Sequence, residues 1–258
     1  MRIFLVAIIS LLFAINAIGQ QMPIDSGFRN KAEAKNLMVK GKREGKWVEY
    51  FLDDMGDTTS DINNYFSYYL IVYKAGEPNG VARGYYKSGK LELETPFSNG
   101  KVNGVEKHYY ENGQLEAEVP YTNYKINGVE KDYYENGKLS EVSPYIEGKH
   151  TGVTKLYDTN GVLGEEDTYK TDDDVLVKFF KHGILITELP LFKMRKNGVR
   201  EDYYDNGTLK SVVTYINDTI EGVAKKYYQD GKIWSETNYN NGVKGITTTY
   251  DENGNEIK

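Results

Sequence analysis

A repeat of about 24 residues runs from near residue 44 to the C-terminus, and it restricts this chain to an array of similar small units. The units begin at Asn79, Asn103, Asn127, Thr151, Asp173, Asn197 and Glu221, and a partial unit begins at Lys244. The eleventh residue of every unit is glycine: Gly89, Gly113, Gly137, Gly161, Gly183, Gly207, Gly231 and Gly254. The third residue is valine or isoleucine, and the seventh is tyrosine or phenylalanine. Such self-similarity is typical of stacked supersecondary units.

Each unit contains two strand-like runs that flank a turn signal. In the Asn103 unit, the runs 105–110 and 114–119 flank Glu111-Asn112-Gly113. Asn-Gly or Asp-Gly between such runs predicts a β-hairpin, because glycine adopts the positive φ that the turn requires. A second turn near each unit boundary, such as Asn99-Gly100, leads into the next hairpin. The pattern predicts an all-β fold, an elongated antiparallel β-hairpin solenoid of about nine units, with the eight glycines as structural turn residues.

Two registers are compatible with each hairpin. A three-residue loop places Lys107 opposite Ala117, and it collects the valine, tyrosine and leucine columns on the same face as Tyr121 and its equivalents. A two-residue loop places Lys107 opposite Glu118 instead. Burial of an apolar side chain stabilises by about 1.5–3 kcal/mol, whereas a cross-strand ion pair contributes about 0.2–1 kcal/mol. We therefore expect the three-residue loop.

The prolines recur at one phase of the repeat. Four of the six, Pro96, Pro120, Pro144 and Pro190, are the eighteenth residues of their units. Proline cannot donate a ladder hydrogen bond, so this phase either ends regular pairing or holds a β-bulge.

The N-terminus has the features of a secretory signal. A basic start at residues 1–2 precedes an apolar run at 3–15, and a small-x-small site at 17–19 predicts cleavage before Gln20. The apolar run is shorter than the roughly 20 residues that a spanning helix needs, so no stable membrane insertion is expected after cleavage. The predicted organisation is a signal peptide at 1–19, a linker or cap at 20–43, and a repeat array at 44–258 with an insertion near 53–69. The predicted location is the periplasm or the extracellular space.

Composition excludes several classes of function. The formal net charge is -6, and removal of the signal peptide with Arg2 gives 31 - 38 = -7. An acidic chain without basic runs is not expected to bind nucleic acid. The chain has no cysteine, which excludes disulfides, thiolate metal sites and a lipid-modified N-terminal cysteine.

The residue types that carry catalysis are scattered. His108, His150 and His182 occupy unrelated phases of different units, so we expect no shared catalytic or metal site. The run 172–174 of three aspartates suits either a hard cation or a solvated turn, and we favour the turn. Repeated carboxylates such as Glu94 recur because the unit recurs. We expect no enzyme, no cofactor and no metal.

The eighth residue of most units forms a second aromatic column. Its tyrosines are Tyr86, Tyr110, Tyr134, Tyr204 and Tyr228. Such a ladder is the candidate binding site, for an extended polypeptide or for a glycan stacked on the rings. The alternative is cross-strand packing that stiffens the sheet.

The sequence from Asn103 to Tyr121 has the pattern Asn-Gly-Val-x-Lys-x-Tyr-Tyr-Glu-Asn-Gly-x-Leu followed by Tyr, and it recurs from Asn127 to Tyr145. This pattern resembles the bacterial variant of the MORN repeat and the arrays grouped with the YwqK-type antitoxin family. The resemblance covers roughly residues 44–258. It implies curved β-hairpin arrays that act as binding or scaffolding surfaces, and the antitoxin label implies neutralisation of a toxin by direct binding.

The expected function is that of an exported, non-enzymatic repeat protein with a protein-binding or scaffolding surface. Two alternatives stay open. One is an antitoxin or immunity protein with a single toxin as its partner, and the other is a cell-surface glycan-binding module. The expected partner is a protein, and a glycan is the second possibility.

Overall fold

The computed structural model describes residues 28, 30–52, 58–60 and 65–257. The predicted signal peptide at 1–19, residues 20–27 and 29 of the predicted cap, and residues 53–57 and 61–64 of the predicted insertion lie outside this description. Within it, the chain forms antiparallel β-structure with one short 3-10 helix, Lys31–Glu33, and no α-helix. No helix in the described ranges is long and apolar enough to cross a membrane.

The strands are numbered β1 to β26 in chain order. The long strands are β2 (Lys42–Phe51), β4 (Ser67–Lys74), β6 (Gly80–Tyr86), β7 (Leu91–Ser98), β9 (Gly104–Tyr109), β10 (Leu115–Thr122), β12 (Gly128–Tyr133), β13 (Leu139–Ile146), β15 (Gly152–Tyr157), β16 (Leu163–Tyr169), β17 (Asp174–Lys181), β18 (Ile184–Phe192), β20 (Gly198–Tyr203), β21 (Leu209–Ile216), β23 (Gly222–Tyr227), β24 (Ile233–Asn240) and β25 (Val243–Tyr250). The short strands are β1 (Leu37–Val39), β3 (Thr58–Thr59), β5 (Glu77–Pro78), β8 (Lys101–Val102), β11 (Lys125–Ile126), β14 (Lys149–His150), β19 (Arg195–Lys196), β22 (Thr219–Ile220) and β26 (Glu256–Ile257).

The long strands follow one another as a meander. Each pairs antiparallel with the next along the chain, from β2 with β4 to β24 with β25. Most short strands pair beside a unit-boundary turn; β11, for example, is separated from β12 by Asn127 alone. The predicted all-β array of consecutive hairpins is confirmed.

The Asx-Gly turns owe their shape to glycine at one position. In the Asn103 unit, Gly113 has a φ of 88° and its N–H donates to the carbonyl of Tyr110 at 2.8 Å. The side chain of Asn112 accepts from the N–H of Gln114, also at 2.8 Å. The other seven turn glycines have φ between 77° and 88°. Asparagine therefore closes the turn with its side chain, while glycine supplies the left-handed backbone.

Most unit-boundary turns have positive φ at two successive residues. Asn99 and Gly100 have φ of 51° and 74°, which is the type I′ geometry of a two-residue hairpin. The mid-unit turn of the Asp173 unit has the same geometry, with φ of 53° at His182 and 78° at Gly183.

The boundary turn at Lys193 and Met194 lacks glycine and gives a stability prediction. Met194 has a φ of 61° and is 88% exposed, so nothing in packing offsets the cost of a left-handed side chain. Because that cost is about 1–2 kcal/mol and glycine avoids most of it, Met194→Gly should stabilise the fold by about 0.5–1 kcal/mol. Urea unfolding measures the change. Gly148→Ala, at a φ of 82° with open space around it, is the reverse control and should destabilise.

The hairpin register differs from the expected one. Tyr109 pairs with Leu115 as predicted, but Glu116 is then an extra residue, and beyond it Ala117 pairs with His108 and Glu118 with Lys107. The predicted three-residue-loop register is therefore wrong beyond its first pair. A β-bulge lets one hairpin form both the tyrosine–leucine pair and the ion pair, which a regular ladder cannot contain together.

The same irregularity occurs in six other hairpins, from β6–β7 to β23–β24, whereas β2 and β4 pair without it. Its extra residues are Glu92, Glu116, Ser140, Gly164, Ile186, Lys210 and Trp234. The bulge shifts the second strand by one residue and so exchanges the two faces of that strand. We call face A the face of Lys107 and Glu118, and face B the face of Glu106 and Ala117, with their ladder equivalents in every unit.

This exchange corrects the predicted faces. Tyr121 and its equivalents Phe97, Tyr145, Tyr169, Tyr215 and Tyr239 were expected beside the valine and tyrosine columns. The ladder instead pairs Pro120 with Val105 and Tyr121 with Gly104, so the aromatic column lies on face B and the valine column on face A.

The prolines lie on face A beside the bulge that opens the next unit. The carbonyl of Pro120 accepts from the N–H of Asn127 at 2.8 Å, and Asn127 is the unpaired residue between β11 and β12. Gly128 follows with a φ of 134°, and a Cβ there would lie 3.0 Å from Cγ of Pro120. Glycine after the bulge is therefore required by contact with proline as well as by backbone conformation.

The N-terminal end of the array is covered. Phe28, 1% exposed, packs with Tyr68 and Leu70 on face A, and its carbonyl accepts from Arg83 at 3.3 Å. The Nζ of Lys31 lies 3.9 Å from the centre of the Tyr68 ring. Along the outer edge of β2, the Asn36 side chain bonds both main-chain groups of Val48, and β1 and β3 pair with the ends of the strand.

Candidate binding surface

The tyrosine column ties each unit to the next one. The hydroxyl of Tyr110 donates to the carbonyl of Tyr133 at 2.7 Å. The same bond joins Tyr86 to Tyr109, Tyr134 to Tyr157, Tyr204 to Tyr227 and Tyr228 to Tyr250, at 2.6–2.8 Å. The hydroxyls of all five candidate binding tyrosines are thus engaged within the chain, and only their partly buried rings remain for a ligand. Binding by this column stays a prediction.

Two aspartates replace tyrosine in the column and act locally. Oδ1 of Asp158 accepts from the N–H groups of Asn160 and Val162 at 2.8 and 2.9 Å. Asp251 holds its own turn in the same way. These hydrogen bonds hold the pKa of Asp158 below the usual range, and the Asn255 side chain, followed by the backbone N–H groups, does the same for the pKa of Asp251.

Tyr86 also lines a shallow depression near the N-terminal end. Leu52, Tyr65 and Phe66 form its other apolar walls, and Leu52 and Phe66 are 45% and 50% exposed. At this end of the tyrosine column, a column ring and exposed apolar side chains therefore line one depression.

Face A carries a repeating ion pair joined to a tyrosine. Arg83 contacts Glu94 at 3.0 Å, and Glu94 accepts from the Tyr109 hydroxyl of the next unit at 3.1 Å. Equivalent pairs join Lys107 to Glu118, Lys155 to Glu166, Lys178 to Glu188 and Lys225 to Glu236, at 2.7–3.9 Å. Burial, followed by the charge of Glu94, raises the pKa of Tyr109 to about 12. The centre of face A is therefore electrically balanced.

An apolar stripe runs along one margin of face A. Val105, Val129, Val199 and Val223 are 45–48% exposed, and Ile146 and Ile216 are 60% and 53% exposed. The stripe lies beside the ion pairs because valine occupies the third residue of each unit and lysine or arginine commonly the fifth. We call these six residues the valine stripe.

Face B carries an acidic row that sequence reasoning missed. Its carboxylates are Glu92, Glu106, Glu116, Glu130, Asp132, Glu141, Glu165 and Asp167. Burial, then the charges of Glu130 and Glu141, raise the pKa of Asp132 to about 6. Burial likewise raises the pKa of Glu165, whose next contribution is the neighbouring Asp167. A like-charge row at half-buried positions carries an electrostatic cost in the folded state.

This cost predicts a dependence of stability on pH. The pKa of Asp132 is higher in the folded than in the unfolded chain. Its contribution to the stability of the fold is therefore complete below the unfolded pKa and is lost as the pH rises through about 6. A pKa difference of about two corresponds to ~2.7 kcal/mol, and water at the partly open site reduces this value. Asp132→Asn should therefore stabilise the folded chain by roughly 1 kcal/mol at pH 7.5 and by much less at pH 4.

Urea unfolding at the two pH values tests this. Glu135→Gln, at an exposed turn of the same unit, is the control and should change neither value. A lower stability of Asp132→Asn at pH 7.5 would contradict the prediction.

The histidines do not converge on one site. Nε2 of His108 lies 3.0 Å from Glu106, and this hydrogen bond raises the pKa of His108. The ring of His150 stacks on Tyr169 at 4.6 Å, and its Nε2 lies 3.1 Å from the Tyr145 hydroxyl. Across the described ranges, no group of three or more His, Cys, Asp or Glu residues is arranged to hold a metal ion. The aspartate run pairs with lysines: Asp172 with Lys149 at 3.5 Å and Asp174 with Lys170 at 3.9 Å.

Comparison with known proteins identifies the repeat. Five segments match the family model described as MORN repeat variant: residues 78–99, 102–123, 126–147, 196–217 and 220–241. The predicted MORN-variant repeats are therefore confirmed in five units. No curated protein matches the chain.

Two solved structures share a partial likeness. They are a crystal structure of TarM, with a TM-score of 0.24, and a mutant of S. aureus TarM in complex with Fondaparinux, alpha-GlcNAc-glycerol and UDP, with a TM-score of 0.23. Each is 19% identical in sequence, and each alignment covers 42% of this chain and 19% of the TarM chain.

Proposed function

We propose that this chain is an exported, non-enzymatic repeat protein that binds a protein partner through face A. The observation that carries the proposal is the valine stripe, whose members are 45–60% exposed beside a row of ion pairs. Exposed apolar side chains rimmed by charges are typical of a protein-interaction surface. Repeat arrays present such surfaces because each unit offers the same side chains at a fixed spacing.

A matched pair of variants tests the use of the stripe. Val129→Glu places one negative charge in the stripe, whereas Val162→Glu places the same charge at a 42% exposed site outside it. The chain and both variants serve as bait against envelope and secreted fractions of the source cells. We expect one saturable partner near 1:1 stoichiometry that Val162→Glu retains and the stripe variant binds at least tenfold more weakly. Equal retention by both variants, or no saturable partner, would reject face A as the binding surface.

Export is a separate part of the proposal. The basic start, apolar run and small-x-small site at residues 1–19 support it. Mass spectrometry of the chain recovered from the periplasm or medium should give an N-terminus at Gln20. A chain found only in the cytoplasm and still beginning at Met1 would overturn it.

The identity of the partner distinguishes the narrower alternatives. An immunity role predicts that the captured protein is toxic when expressed alone and harmless when expressed with this chain. A glycan-binding role predicts retention on polysaccharide that Tyr110→Ala with Tyr134→Ala abolishes, because the rings of the tyrosine column are the surface it would use.

A further inference from the structure

Face B changes its chemical character along the array. Between residues 79 and 172, all of them described, its mid-strand positions carry the eight carboxylates of the acidic row and no lysine or arginine. In β17 and β18 the same positions are mostly apolar, with Val177, Phe179 and Leu189. Beyond them, Arg200, Lys210 and Lys226 make the face basic, with Asp202 as the exception. An acidic half and a basic half therefore flank an apolar centre.

The two halves are placed at matching points of the ladder. One continuous row of paired residues crosses the sheet from β13 to β23: Glu141, Leu156, Glu165, Phe179, Thr187, Asp202, Ser211 and Lys226. Four strands of this row lie on each side of the boundary between β17 and β18. Glu141 and Lys226 are consequently equidistant from that boundary and at the same height along the strands.

A second row places another pair of opposite charges in the same relation. Asp167 pairs with Val177, and Val177 pairs with Leu189. Leu189 continues to Arg200, since Thr187 pairs with Asp202 and Glu188 with Glu201. Asp167 and Arg200 therefore lie on the second strand from the boundary, on opposite sides of it.

We propose that two copies of this chain pack face B against face B about a two-fold axis that runs parallel to the strands between β17 and β18. The rotation brings Glu141 of each copy over Lys226 of the other, and Asp167 over Arg200. Phe179 and Leu189 meet the apolar centre of the second copy. Sheets packed in this way lie about 10 Å apart, a spacing that long charged side chains span.

The acidic row itself favours such an occupant. Carboxylates at half-buried positions beside one another are costly, and lysine or arginine from a second copy offsets that cost. Lys226 is exposed, and the Arg200 side chain is 33% exposed, so both are accessible. Arg200 also contacts Asp202 at 2.8 Å, which keeps Asp202 neutralised where it would face Glu165 of the second copy. The valine stripe is on face A, so this association is independent of the proposed partner binding.

A charge exchange tests the proposed interface. Sedimentation equilibrium of the purified chain should show a dimer in 50 mM salt whose dissociation constant rises at least tenfold in 500 mM salt, because the contacts are ionic. Glu141→Lys and Lys226→Glu should each weaken the dimer at least tenfold. The double variant exchanges the two charges and should return to within about threefold of the original chain, a rescue that a merely structural role does not produce.

The contrary outcomes are specific. A monomer at 100 µM in 50 mM salt, or a double variant as weak as the single variants, would overturn the proposal. A dimer that persists in 500 mM salt and in both single variants would also overturn it, and it would point to strand pairing along β25, where Val243 and Ile246 are 71% and 83% exposed. Circular dichroism of each variant establishes that the sheet is retained.

Discussion

Replacement of Gly198 by alanine is expected to destabilise the array by about 2–4 kcal/mol. Gly198 has a φ of 123°, and a Cβ at this position would lie 2.8 Å from Cγ of Pro190 and 3.3 Å from its Cβ. The residue is the equivalent of Gly128 in its unit. A side chain in this backbone region costs about 1–3 kcal/mol, and overpacking against the rigid proline ring adds about 1–3 kcal/mol, part of which the backbone relieves by shifting.

The array contains a matched control for this substitution. Gly222 is the same residue of the next unit, with a φ of 79° and nothing within 4 Å of its added Cβ. Gly222→Ala should therefore cost only about 1–2 kcal/mol, the backbone contribution alone. Urea unfolding compares the two, and Gly198→Ala measured in a Pro190→Thr background should fall to the value of the control. Equal losses for both glycines in the original chain would show that the proline contact is unimportant.

Removal of the Phe28 ring is the second substitution with a large expected effect. Phe28 is 1% exposed and packs on Tyr68 and Leu70, so Phe28→Ala should cost about 3–4 kcal/mol. The loss also withdraws the contact that holds the N-terminal segment across face A. The first strands of the array should open before the rest does.

The spatial extent of that opening is measurable. Repeat units contact only their neighbours, so amide hydrogen exchange should accelerate in β2 and β4 and stay unchanged in β20 to β24. Leu37→Ala, at a 50% exposed site of the same segment, should alter neither stability nor exchange by much. Uniform acceleration along the whole array would mean that it unfolds as one cooperative body, contrary to this prediction.

The sequence predicts the fold well because a glycine recurs at every mid-unit turn. Gly113 and its equivalents can be replaced by few other residues at their φ, so glycine recurs at the eleventh residue and reveals the period. The positions of the turns, the order of the hairpins and the absence of α-helix in the described ranges all follow from these recurring glycines. MORN-variant repeats were recognisable for the same reason.

The register was not predictable because no residue type identifies the position of the bulge. Its extra residues include Glu116, Ser140, Gly164, Lys210 and Trp234, which share neither size nor polarity. A bulge is selected by the twist of the two strands and by hydrogen bonding, so its position tolerates many side chains. Every face assignment beyond the bulge depends on it, and the predicted placement of Tyr121 failed there.

The candidate site was predictable only in part. Spacing alone identified Tyr86, Tyr110, Tyr134, Tyr204 and Tyr228 as a column, but their hydroxyl bonds depend on how neighbouring strands are offset. The acidic row had a usable signal in the fourth and sixth residues of consecutive units, where Glu130 and Asp132 follow Glu106. Its meaning required the pairing of Glu141 with Asp132, which the favoured three-residue-loop register does not contain.

The joint between units has an evolutionary consequence. The hydroxyl of each column tyrosine donates to a main-chain carbonyl, as the hydroxyl of Tyr110 does to the carbonyl of Tyr133. Every residue type has such an acceptor. Excision of residues 127–150 would bring the carbonyl of Tyr157 to the place of that of Tyr133, so the hydroxyl of Tyr110 would find the same partner atom. Duplication of a unit would likewise need no compensating substitution. Arrays of this kind can gain or lose whole units in single genetic events. The area of their two faces then changes, while the hydrogen bonds between units stay the same.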